Sequence, residues 1–197
     1  MNDLVPFALA VALVCEAALI AMLLWSILVP FRRLWPPQRV SWFSQIMVWL
    51  PTLAVFGGAT LVGLAKWNML DWPLYLRWGV GLPLILAGNA VVWPAALGIG
   101  LDATSGAEAE LKTDGFYRWS RNPQYVADMG ILIGWAVLSA SPATWIIATG
   151  GVIAFALAPF AEEPWLEKVY GAPYRTYRKR TPRFFGFPGR QNADYSV

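Results

Sequence analysis

The 197-residue chain has no histidine and a single cysteine, Cys15. Without imidazole there is no histidine general base, no Ser-His-Asp or Cys-His nucleophile, and no haem or zinc site built on histidine, so no metal is expected. One cysteine cannot form an intramolecular disulfide, and it leaves the redox compartment open. Charge is scarce as well: 14% of residues are charged and 57% are hydrophobic, with a mean hydropathy of +0.48. A water-soluble core cannot hide that much apolar surface. Neither Gly-x-Gly-x-x-Gly nor Gly-x4-Gly-Lys-Ser/Thr occurs, which removes soluble dinucleotide and NTP folds. Repeats, low-complexity tracts and linkers are also missing.

What the chain has instead is long apolar runs. A hydrocarbon core of about 30 Å takes roughly 20 helical residues. Residues 4–29 carry only Glu16, residues 45–65 carry no charge, and residues 73–99 carry only Arg77. The first run is too long for a signal-peptide core and lacks a basic leader, so it reads as retained. Two further runs, 125–140 and 143–160, flank Ser141-Pro142 and predict a tight helical hairpin, since 16 residues rise about 24 Å. The expected fold is an all-α integral membrane protein of about five transmembrane helices, with a C-terminal helical hairpin and a cytoplasmic amphipathic tail. Twelve Trp, seven Tyr and ten Phe suit the aromatic belts at headgroup depth. Arg32, Arg33 and Arg39 fill the first loop and seven Lys or Arg follow Phe160, while no basic residue precedes the first span. The positive-inside rule then puts the first loop, residues 100–123 and the tail in the cytoplasm, and the N-terminus, residues 66–72 and the Ser141-Pro142 turn outside.

Polar residues concentrate at the two ends of the hairpin. Residues 110–125 lead into it and Glu162-Glu163-Pro164-Trp165-Leu166 leaves it. Because a hairpin returns to its starting side, Arg121 and Asn122 are expected near Glu162 and Glu163, forming a pocket at the cytoplasmic mouth with a cation, an amide, two carboxylates and aromatic rings.

The pattern Leu111-x3-Gly115-x-Tyr117-x3-Arg121-Asn122-Pro123-x-Tyr125, followed by Glu162-Glu163-x2-Leu166-x3-Tyr170-Gly171-x2-Tyr174-x2-Tyr177-x4-Pro182-Arg183-Phe184, resembles the isoprenylcysteine carboxyl methyltransferase and phospholipid methyltransferase superfamily of membrane enzymes. It covers about the last half of the chain. Asn122-Pro123-x-Tyr125, Gly134-Trp135-Ala136, Ala140-Ser141-Pro142 and Glu162-Glu163-Pro164 are especially similar to phosphatidylethanolamine N-methyltransferases. The resemblance implies a single methyltransferase domain over 1–197, with three N-terminal spans in 1–99 and a cofactor-binding half in 100–197. It also implies S-adenosylmethionine as cofactor, bound from the cytoplasm, and a lipid or lipophilic acceptor. An amine headgroup such as phosphatidylethanolamine is the first choice.

Residue types fit that ligand. Arg121 and Asn122 suit its carboxylate. Glu162 matches the glutamate with which the family contacts the cofactor, and Glu163 beside it is a second candidate for cofactor contact and for catalysis. Tyr117, Tyr125 or Trp119 offers ring faces to adenine and sulfonium. Leu111 and Lys112 are implied as adenine-pocket backbone, and Pro123 and Gln124 complete the cofactor-binding candidates. Asp128, one turn beyond Gln124-Tyr125, is a candidate catalytic base or a group that orients a substrate ammonium.

Two departures matter. Asn122 stands where the family usually has His, yet an amide still donates and accepts. Ala158 stands where enzymes that methylate prenylcysteine carboxylates have Arg, which argues against isoprenylcysteine carboxyl methylation. A second reading is an NADPH-dependent membrane reductase of the sterol-reductase type, which has a similar Arg-x-Pro-x-Tyr-x2-Asp pattern; a third is a non-catalytic transporter or scaffold.

Structural readings stand beside these. Arg118 and Arg121 can anchor a span at the interface, and Glu162-Glu163 can be a solvated helix start. Glu16, near the middle of its span, can bind Asn89 at similar depth. Gly98-Ile99-Gly100 is either the Gly-x-Gly near the family's cofactor or small residues packing helices. The aromatic and basic tail is expected to lie on the cytoplasmic leaflet and cover the pocket, so the net charge of +3 reads as affinity for membrane lipids and not for nucleic acid.

Overall fold

A computed structural model describes residues 3–100, 104, 106–108 and 110–187. All regular structure among these residues is helical: α1 (Leu4–Leu28), α2 (Trp42–Ala65), α3 (Leu74–Ile99), α4 (Pro123–Ser139), α5 (Pro142–Tyr170) and α6 (Ala172–Arg180). Helices α1, α2, α3 and α5 are each long and apolar enough to cross a membrane. Short 3-10 turns occur at Pro30–Arg32 and Gly115–Arg118, and α3 contains a π-helical turn at Arg77–Gly81.

The chain folds back where the sequence reading placed its turns. Backbone N–H groups of Asn68 and Leu70 donate to the carbonyls of Ser139 and Ala140, so the α2–α3 loop lies against the α4–α5 turn. At the opposite end, called the site end below, the backbone N–H of Arg121 donates to the Pro182 carbonyl at 2.9 Å. Helices α4 and α5 thus form the expected hairpin. Pro123 opens α4 at a position where its missing N–H costs nothing, and Ser141 caps α5 by accepting from Thr144 N–H.

Two boundaries differ from expectation. Helix α2 starts at Trp42, because Ser41 and Ser44 form a reciprocal capping box that apolarity alone does not reveal. Helix α5 does not stop at Phe160 but continues through Pro164 to Tyr170, where Gly171 turns the chain with φ +60. Glu162 and Glu163 therefore lie inside a helix and are not a solvated helix start. Burial and pairing of Glu163, described below, sustain the added turns.

Small residues let the helices approach closely. Ala8 and Ala12 of α1 meet Gly58 of α2, and Gly134 of α4 meets Gly81 of α3. Glu16 packs against Gly150 and Gly151 of α5 and not against Asn89, whose amide instead bonds the Ile85 carbonyl and accepts from Trp93. Matching depth does not put two residues on facing helix surfaces. Among the described residues a side chain at Gly98 or Gly100 would meet nothing within 4 Å, so that pair packs against none of the described helices.

A methyl group added at Gly134 would sit 2.8 Å from the Gly81 carbonyl oxygen, whereas one at Gly130 would meet nothing within 4 Å among the described residues. Thermal denaturation in detergent should find Gly134→Ala less stable by about 1–3 kcal/mol. Gly130→Ala should match or slightly exceed the parent; equal midpoints for the two variants would contradict this packing.

Candidate active site

Glu163 is the electrostatic centre of the site end. Arg183, from the tail after α6, binds it through two parallel hydrogen bonds: Nε to Oε1 at 2.7 Å and Nη2 to Oε2 at 2.8 Å. Arg121, just before α4, adds Nη2 to Oε1 at 3.1 Å. The side chains of Arg121 and Glu163 are 8% and 10% exposed, so the pair is nearly dry. The Arg183 guanidinium also lies 4.0 Å from the Phe160 ring centroid, and the Glu163 carboxylate beside it raises its pKa further. The tail is tied down elsewhere too: the Arg183 carbonyl accepts from the Asn122 amide at 2.9 Å, and Tyr177 donates its hydroxyl to the Tyr117 carbonyl at 2.6 Å.

Over this frame lies a cavity of about 810 Å³, counting its open mouth, called the polar cavity below for the charged and phenolic groups set among its otherwise apolar walls. Leu111, Lys112, Tyr117, Arg121, Asn122, Pro123, Gln124, Tyr125 and Glu162 all line it. Glu163 does not, being taken up by its two arginines, and Trp119 turns away to stack edge-on with Phe187. Tyr170, Tyr174 and Tyr177 complete the walls, so the tail does cover the pocket. Burial pushes the Tyr174 phenol up to about 12, helped by the Glu163 charge, and raises Tyr117 and Tyr177 as well. These phenols stay protonated at physiological pH; Tyr177 donates, whereas Tyr117 accepts from the Gln124 amide and Tyr174 accepts from Arg121.

Two features of the cavity point to a ligand. Nε and Nη1 of Arg121 are buried and make no hydrogen bond of good geometry among the described residues, the Tyr174 hydroxyl being the acceptor beside the guanidinium. Unpaired buried donors of a charged group are costly, and an incoming anion removes the cost. Glu162 receives two donors on Oε1, the Tyr125 hydroxyl and, at 2.6 Å, the indole N–H of Trp35. Trp35 lies in the α1–α2 loop, and no motif in the sequence pointed to it.

A second, apolar cavity of about 780 Å³ lies among α1, α2, α4 and α5. Leu19, Leu23, Val48, Phe56 and Phe155 are among its walls, and among the described residues Asp128 is the one charged residue that lines it. Ala158 lines it too. Trp35, Thr104, Gln124 and Tyr125 line both cavities and so form the partition between them.

In the tail, Arg175 and Arg178 pair with Glu167 at 3.9 and 2.8 Å. With Arg183 on Glu163, three of the five cations from Arg175 to Arg183 are engaged within the protein, which leaves less free charge for the leaflet than their number suggested.

Replacing Glu163 with Ala would leave the buried Arg121 without its counter-charge, a change that typically costs about 3–5 kcal/mol. Unfolding midpoints in detergent should fall accordingly, and limited proteolysis should cut the tail faster. An unchanged midpoint would contradict the central role of this pair.

Comparison with known protein families matches residues 76–173 to the phospholipid methyltransferases. No curated protein and no solved structure matches the chain. The match starts in α3, earlier than the motifs suggested, and takes in the whole hairpin with Arg121, Asp128, Glu162 and Glu163. It leaves out Trp35 and Arg183. The all-helical fold, the hairpin and this match agree: the chain carries a phospholipid methyltransferase domain and belongs with the integral membrane methyltransferases.

Proposed function

We propose that the polar cavity binds S-adenosylmethionine and that the apolar cavity takes a lipophilic amine, with a phospholipid amine headgroup such as phosphatidylethanolamine as the best fit. The observation that carries this reading is the shared wall: a cavity that bears Lys112, Arg121, Glu162 and several phenols meets a more apolar one that bears Asp128, at Trp35, Thr104, Gln124 and Tyr125. Methyl transfer needs donor and acceptor held in line and away from water, and adjoining cavities meet both needs.

The residues fit the cofactor. The free Nε and Nη1 of Arg121 suit a carboxylate, and Glu162 suits an ammonium or ribose hydroxyls. Tyr117 and Tyr125 offer faces to adenine and to a cationic sulfur. Glu163 acts by fixing Arg121 and does not touch the ligand. When bound, the cofactor supplies a methyl group on a sulfonium that leaves as a neutral thioether.

The acceptor's class follows from the sign of the charge in its cavity. Asp128 is a carboxylate among apolar walls, which attracts an ammonium and repels an anion. Ala158, in the same wall, provides no cation for a substrate carboxylate, so isoprenylcysteine fits poorly. Asp128 takes the ammonium proton, and the freed nitrogen lone pair then forms the N–C bond as the C–S bond breaks.

Basic residues in the first loop and the tail support a cytoplasmic site end and an N-terminus outside, and the apolar runs support five crossings in a single 1–197 domain. The lipid reaches its cavity sideways from the bilayer.

Calorimetry in detergent should detect S-adenosylhomocysteine binding in the parent and none in Glu162→Ala or Arg121→Ala, with both variants folded. Normal affinity in both would remove the assignment, and binding of NADPH in its place would indicate a reductase. Asp128→Asn should leave that affinity unchanged and lower kcat toward a lipid amine by about a hundredfold or more; unchanged kcat would exclude Asp128 as the base.

A further inference from the structure

Trp35 lies outside the matched domain and outside every motif, yet the chain is built to deliver it. Ser26, buried in α1, accepts from the backbone N–H groups of both Leu34 and Trp35 at 3.0 Å and donates to the Met22 carbonyl at 2.8 Å. Arg33 Nε donates to the Pro36 carbonyl at 2.9 Å, and Pro36 is fully buried beside the cavity. The loop backbone is thus fixed on both sides of one indole. That indole is 6% exposed, donates to Glu162 Oε1 at 2.6 Å and faces both cavities.

We infer that Trp35 is a positioning residue of the active site, one that acts through Glu162 and helps form the partition between cofactor and acceptor. Two donors on Oε1, Trp35 and Tyr125, fix the rotation of the carboxylate. Neither donor occupies Oε2, which is left to the ligand of the cavity that Glu162 lines. Without the indole N–H, the carboxylate keeps one tether on Oε1 and pivots about it. A side chain that only filled space would need no donor, and a loop that only joined two spans would need no buried serine anchoring its backbone. The inference rests on the proposed cofactor site and adds to it a part supplied by the N-terminal half.

The test is a cycle of S-adenosylhomocysteine affinities by calorimetry in detergent for the parent, Trp35→Phe, Glu162→Gln and the double variant. A hydrogen bond to a charged acceptor predicts that Trp35→Phe weakens binding about tenfold or more. In the Glu162→Gln background, where the acceptor is neutral, the same change should cost less than about threefold. A purely structural tryptophan would cost the same factor in both backgrounds, and that result, or parent-like affinity in Trp35→Phe, would overturn the inference while leaving the proposed function standing. If the parent binds no S-adenosylhomocysteine, the proposed function fails and this inference with it. Should Trp35→Phe not fold, benzothienylalanine at position 35 keeps the indole's shape without its N–H, and the same two thresholds apply.

Discussion

A carboxylate shared by two guanidiniums fastens together three parts of the chain that meet nowhere else in sequence. Glu163 comes from α5, Arg121 from the approach to α4 and Arg183 from the tail. Burying one acid with one base commonly gains little over apolar packing, because desolvation offsets attraction. Here a second arginine, bound bidentately, adds to the attraction and leaves Arg121 with donors to spare. The same contact that closes the tail over the cavity therefore holds a cation ready for an anionic ligand. Stability and binding draw on one carboxylate, and for that reason Glu163 matters to the site without lining it.

From this centre the two cavities follow. The tail supplies the tyrosine wall of the polar one, and α1 and α2 supply the aliphatic wall of the other. Their common partition comes from the α1–α2 loop, the segment after α3 and the first turn of α4. The matched domain accounts for the hairpin but not for the whole enclosure, because Trp35, Leu19, Leu23, Val48 and Phe56 precede it. What the N-terminal half adds is the aliphatic and aromatic wall of the second cavity and one donor to Glu162.

Much of this arrangement was legible in the sequence, for reasons of reach. Apolar runs fix helices, and a short turn fixes a hairpin, so Arg121 and Glu162 had to share an end. Three things were not legible. Helix α5 outran its apolar stretch because a paired glutamate can be buried, which composition does not show. Asn89 and Glu16 matched in depth but not in direction, since the rotation of a helix is set by packing. Trp35 was invisible because its partner is 127 residues away, and no local spacing encodes such a contact.

The length of α5 has a geometric consequence. At about 1.5 Å per residue, Pro142 and Glu162 are about 30 Å apart along the axis, which equals the thickness of a bilayer's hydrocarbon layer. With its first turn at one interface, the helix works as a ruler that carries the glutamate to the other, to the plane where water-borne solutes and lipid headgroups coexist. The turns from Glu163 to Tyr170 extend the helix beyond that length. In the proposed reaction the water-borne methyl donor and the membrane-borne acceptor meet at this depth, and only the methyl group crosses between them.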